Sequence, residues 1–220
     1  MTRLSKVLGL LLPAALLTGC GALDSLRNTF GGQIVSGLFS GDQAAAPPLQ
    51  RDGFTAADIG ANPDAFHLFT INALGVAEPA RRIALAGANE TFESESGFTA
   101  AYQDGMLVAT HGLGFDLIAA DGTATRAALR QGGGDVPRTI EVMDSLDQLS
   151  RIEFRCSVTA NGSEPVNLGA REVTLRKFTE SCTSNVLAFE NLFWLDAAGA
   201  IVASRQYVSP TVAYLRSNRL

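Results

Sequence analysis

Histidine is scarce in this chain of 220 residues, with only His67 and His111, and cysteine occurs three times, at Cys20, Cys156 and Cys182. Two imidazoles and no C-x-x-C pair leave little from which to build a zinc centre or a dithiol redox site. No run of roughly 20 apolar residues is present, so no helix able to cross a hydrocarbon core is expected. Basic residues are outnumbered, 17 Lys and Arg against 22 Asp and Glu. Phosphate-backbone binding needs a basic face, so nucleic acid is excluded as the expected partner. The G-x-S-x-G elbow, the H-E-x-x-H zinc helix and the P-loop are missing too, and no cofactor is implied.

What is present begins at the first residues. Arg3 and Lys6 precede an apolar stretch over 7–17 that only Gly9 and Pro13 interrupt, the layout of a secretory signal. Leu17-Thr18-Gly19-Cys20 closes it and resembles the bacterial lipobox, in which an aliphatic residue and two small residues precede a cysteine that is acylated before cleavage. On that reading residues 1–19 are a signal peptide and Cys20 is the lipidated first residue of the mature chain. An ordinary secretory signal ending in Cys is the alternative. One acyl chain binds a membrane marginally and two or more hold it stably, so the lipid is a lasting anchor. Gly21 stands where an inner-membrane retention signal places Asp, which points to the outer membrane with the domain facing the periplasm.

The mature chain of 201 residues keeps 15 basic against 22 acidic side chains, a formal charge of −7. That length suits one domain with an ample core. With Cys20 given to lipid, Cys156 and Cys182 remain in an oxidising compartment, where a disulfide is the natural reading and a metal or redox pair the alternative.

Residues 22–38 carry Leu23, Leu26, Phe30, Ile34, Val35 and Leu38 at helical spacing, weakened by Gly31-Gly32. Small residues and proline over 41–48 read as a tether, so residues 20–48 form the lipidated N-terminus with a short helix, and a single β-rich domain spans 49–220. Strands are expected over 66–74, 82–86, 90–95, 99–103, 106–110, 151–159, 171–179, 188–195 and 201–208. In Arg151-Ile152-Glu153-Phe154-Arg155-Cys156-Ser157-Val158 the alternation is nearly complete, so one face packs a core and the other meets water. Asn161-Gly162 and Gly169 read as turns between strands. Many short sequential strands imply a mainly β fold, an antiparallel meander forming a closed or nearly closed barrel-like domain with short helices. Residues 121–134, ending in Gly132-Gly133-Gly134, read as a surface connection. As a phosphate loop they lack a lysine and meet Pro137 too soon.

Thr110-His111-Gly112-Leu113-Gly114-Phe115-Asp116-Leu117 resembles the T-x-G-L-x-x-D-L segment of the YjbF/GfcB lipoprotein family. Trp194-Leu195-Asp196, Gly199 and Ser204-Arg205-Gln206-Tyr207-Val208-Ser209-Pro210 resemble its closing W-x-D…G…S-x-Q-x-x-P. The resemblance runs in order through the mature chain. It implies an outer-membrane lipoprotein encoded with exopolysaccharide or group 4 capsule export genes, with a β-rich fold and no established enzymatic activity. Polysaccharide and other export proteins of the envelope are the partners it implies, beside the membrane itself.

Read from the residues, Gly112 and Gly114 suit a tight turn and Asp116 suits accepting its backbone N–H groups. Asp116 with His111 has the residue types of an acid/base pair, without a third group. Trp194 is the only tryptophan; its flat face suits a pyranose ring, while a strand Trp is more often core with its N–H satisfied. Arg205 and Gln206 alternate on the last expected strand, so only one points into any shared cavity. Gln206 can donate and accept, fitting either a strand-edge cap or a sugar hydroxyl. Glu93 and Glu95 share a strand face and imitate a glycosidase pair, though such pairs usually mark a solvated face. A polysaccharide-modifying hydrolase is therefore the lesser reading, beside a structural envelope lipoprotein that recruits protein partners.

Overall fold

The computed structural model describes residues 53–143, 148–169 and 171–220. Cys20, the signal peptide, the 22–38 helix and the tether lie outside the described residues.

Thr55 caps a short helix α1, Ala56–Ala61, through a reciprocal pair with Asp58: its hydroxyl accepts from Asp58 N and the Asp58 carboxylate from Thr55 N. Twelve antiparallel strands follow: β1 (Phe66–Ile71), β2 (Val76–Ala86), β3 (Asn89–Ser94), β4 (Thr99–Gln103), β5 (Met106–His111), β6 (Ala119–Asp121), β7 (Gly133–Met143), β8 (Leu149–Asn167), β9 (Glu172–Thr183), β10 (Ala188–Leu195), β11 (Ile201–Tyr207) and β12 (Tyr214–Arg219). Helix α2, Thr123–Gln131, stands between β6 and β7.

Every strand pairs with its sequence neighbours except at one place. The sheet order β5-β4-β3-β2-β1-β12-β11-β10-β9-β8-β7-β6 joins β1 to β12, so the first and last strands meet inside the sheet and the open seam falls between β5 and β6. There Thr110 N donates to Leu117 O at 2.9 Å, a single backbone link over the seam. The expected nearly closed antiparallel meander is therefore the fold.

Alternation decides what fills it. The odd residues of β1 (His67, Phe69, Ile71) and the even residues of β8 (Phe154, Cys156, Val158) are buried while most of their neighbours are not. Phe69, Phe92 and Phe193 are wholly buried, each contributing roughly 1.5–3 kcal/mol by leaving water. The β4–β5 turn is Asp104-Gly105, with φ of 50° and 80°, the two-residue hairpin that such a pair favours.

Several sequence readings are corrected. Residues 121–134 are no loose connection: Thr-Ala-Thr-Arg-Ala-Ala-Leu-Arg-Gln is rich in helix formers, and Thr125, Ala128 and Leu129 at helical spacing bury one face of α2. Asp104 holds that helix by ion pairs to Arg126, at 3.0 Å, and to Arg130. Gly133 and Gly134 belong to β7; a Cβ on Gly133 would sit 2.7 Å from Val158 O, so glycine is needed for close backbone approach. Asn161-Gly162 is a bulge inside the long strand β8, not a turn, and the chain reverses further on, where Leu168 N bonds Arg171 O. The first strand stops at Ile71, and Asn72–Leu74 forms a 3-10 turn closed by left-handed Gly75. β11 is followed by β12, which patterning did not reveal.

Candidate functional site on the outer sheet face

Cys156 and Cys182 are cross-strand partners on β8 and β9, joined as a disulfide with Cα atoms 4.1 Å apart. The Glu180 carboxylate lies close to both sulfurs, but they are bonded to each other and are not thiolate ligands. That carboxylate instead accepts from Thr125 Oγ1, from Asn191 Nδ2 at 2.7 Å and from Arg138 Nη1 at 3.3 Å.

Asp116 is occupied in the turn below β5. Its Oδ1 accepts from Thr110 Oγ1 at 2.8 Å and from Leu113 N, and its Oδ2 from Gly112 N at 3.0 Å. His111 is exposed and forms no bond to Asp116 among the described residues. Glu95 accepts from Phe54 N at 2.7 Å and so secures the start of the described chain against β3.

Gln206 points inward. Its Oε1 accepts from Leu107 N at 2.8 Å, and its Nε2 donates to Gly105 O and Ser204 Oγ, each at 3.0 Å. One amide thus ties β11 to the start of the edge strand β5, satisfying backbone groups near the seam. His67 also faces inward, stacked 4.0 Å from Phe92 with Nδ1 2.6 Å from Ser217 Oγ. Burial pushes its pKa down to about 3, with Arg219 and Arg82 adding to the effect.

Trp194 lies on the sheet face opposite Phe193, yet only 4% of it is exposed. Val166, Leu168 and Leu175 from the far part of the β8–β9 hairpin and Ala203 cover it. Its N–H donates to Glu164 Oε1 at 2.8 Å. Arg216 and Lys177 lie over the ring, 5.1 and 5.7 Å from its centroid.

That outer face gathers the most pronounced grouping of cations on aromatic rings in the described structure. Register places Leu192, Arg205, Arg216 and Thr70 in one row across β10, β11, β12 and β1. Arg205 and Arg216 are therefore directly opposite each other. The Arg205 guanidinium lies 4.5 Å from the Tyr214 ring centroid, as Arg216 lies over Trp194. Partial burial, with Arg205 next, holds the Arg216 pKa below its ordinary value. A cleft of about 250 Å³ opens beside the pair, floored by Tyr214 and walled by Thr70, Asn72 and Ala213. Sequence reading singled out Trp194 and Arg205 but missed Arg216 and Tyr214. The available signal was the alternation in Tyr214-Leu215-Arg216-Ser217, weak because Leu215 is its lone aliphatic inward residue.

Fold and site together define a β-barrel-like domain with a packed polar-and-aromatic interior and a cation-rich outer face. It is similar to the crystal structure of the hypothetical lipoprotein YmcC from Escherichia coli (K12), at TM-score 0.62 and 19% identity over 84% of this chain and 92% of that one. The likeness is one of fold. No curated protein matches the chain. The family model described as group 4 capsule polysaccharide lipoprotein gfcB, YjbF matches residues 34–220, and the chain belongs to that family.

Proposed function

We propose that the protein is an outer-membrane lipoprotein, held through acylated Cys20 after removal of residues 1–19, whose 49–220 domain faces the periplasm as a non-enzymatic accessory in exopolysaccharide or capsule production or export. The observation that carries this reading is the family match over residues 34–220, which takes in the whole described barrel. The side chains that imitate catalytic sets favour it too, since Asp116 is occupied by a turn and Glu95 by the Phe54 N–H.

The reading is tested by replacing the chromosomal copy with Cys20→Ala and, separately, deleting it, then measuring surface polysaccharide and the protein's membrane fraction. The Cys20→Ala chain is expected to fold, leave the membrane fraction, and lower polysaccharide output towards the deletion level. A deletion strain with unchanged polysaccharide overturns the accessory role. A Cys20→Ala chain that stays on the membrane overturns the anchor.

Recruitment of protein partners without glycan contact is the second reading. Phe115 and Ile118, 62% and 41% exposed beside the β5–β6 seam, favour it as apolar contact points.

A further inference from the structure

We propose that the cleft beside Arg205 and Arg216 binds an acidic saccharide unit, with the two guanidinium groups holding its carboxylate and Thr70 and Asn72 meeting its hydroxyls. The proposal rests on the polysaccharide reading above for the kind of molecule, and on geometry for the charge it must carry.

Cross-strand neighbours of like charge destabilise a sheet, so a directly opposed arginine pair calls for an anion. The fold supplies little. Arg205 Nη2 lies 3.6 Å from Glu190, whose side chain is half exposed, and Arg216 makes no ion pair among the described residues. Arg216 Nε is bonded only to the neutral Asn218 Oδ1, at 3.2 Å. Glu164, the other nearby acid, acts on Arg216 without an ion pair to it and is hydrogen-bonded to the Trp194 N–H and paired with Lys177 at 3.2 Å. The Tyr214 and Trp194 rings hold the two guanidinium groups beside the cleft; Arg205 Nη2 donates to Glu190 O at 3.2 Å, but its buried Nε has no partner among the described residues, which leaves donors for an oxyanion.

Size and lining narrow the ligand further. A volume of about 250 Å³ is below the roughly 300–1,000 Å³ of sites for drug-sized molecules, and suits one unit of a longer chain. The Thr70 and Asn72 side chains form no hydrogen bond among the described residues, so a hydroxyl and an amide stand ready for a polyol. The partly exposed Tyr214 ring adds a flat apolar surface of the kind that sugar C–H faces cover.

The test uses the full-length lipidated protein in detergent micelles, titrated at 0.15 M salt with hexagalacturonate, maltohexaose and inorganic phosphate. Hexagalacturonate is expected to bind at least tenfold more tightly than either other probe. Arg205→Gln and Arg216→Gln should each weaken it at least tenfold, Arg205→Lys should do the same by losing the planar fork, and the exposed control Arg171→Gln should leave it unchanged. Far-UV circular dichroism identical to wild type and a cooperative urea unfolding transition establish that each variant is folded. Equal binding of maltohexaose overturns the charge requirement. Phosphate binding as tightly as the oligomer overturns the saccharide assignment, and an undiminished affinity in the Arg205→Gln, Arg216→Gln double variant overturns the site. The polysaccharide output of the deletion strain reports on the function separately. If deletion lowers output while hexagalacturonate fails to bind, the site is wrong and the function stands; if output is unchanged while the oligomer binds, the reverse holds.

Discussion

Glu180 on β9 and Arg138 on β7 meet across the intervening strand β8, with Oε2 3.3 Å from Nη1 and the two side chains 0% and 2% exposed. Thr125 from α2 and Asn191 from β10 complete the carboxylate's bonds, and Asn191 Oδ1 in turn accepts from Tyr207 N at 2.7 Å. Four strands and a helix thus converge on one buried charge. Removing either partner strands the other in an apolar interior.

Glu180→Leu and Arg138→Leu are each expected to lower stability by about 3–5 kcal/mol, and the double substitution by clearly less than their sum. Urea unfolding followed by Trp194 fluorescence measures this as a shift in midpoint at constant slope. Additive losses would mean that the two charges are not coupled.

The Cys156–Cys182 bridge closes a separation of 26 residues within one antiparallel hairpin. Replacing both cysteines with serine should lower stability by about 3.5 kcal/mol in the chain-entropy account. Wild-type protein incubated with a reductant should shift its unfolding midpoint in the same direction, while the double-serine variant should not respond.

His67 predicts an acid-sensitive barrel. Its pKa falls from 6.5 to about 3 on folding, so between those values the unfolded chain takes up a proton that the native state refuses. This contribution to stability is intact above pH 6.5 and is lost as pH falls towards about 3, at about 1.4 kcal/mol per pH unit. In His67→Gln the slope of unfolding free energy against pH over that interval should flatten relative to wild type. An unchanged slope would place the acid sensitivity elsewhere.

Much of the barrel is legible in the chain because a half-buried strand must alternate. The bounds of β4 and β10 follow directly from apolar periodicity. Legibility fails where local chemistry points two ways. Gly132-Gly133-Gly134 looks like a break, yet β8 passes so close that glycine is what the strand requires. Asn161-Gly162 has turn chemistry, but β8 and β9 run past it and absorb it as a bulge. The candidate site follows the same division. Arg205 stands out beside a recognisable motif, whereas Arg216 matters only because β12 lies in register beside β11.

The sequence by itself determined the secretory leader and lipobox expectation, the mainly antiparallel β class and the cysteine pair, since each is written in composition, in residue spacing or in a period of two. Tertiary structure alone decided that β1 pairs with β12, that α2 packs its buried face onto Glu180 and the barrel core, and that Arg205 faces Arg216 over an open cleft. These are relationships between residues from about ten to 150 positions apart, or more. They depend on strand order and register, which the whole packed core selects and no local run of side chains encodes.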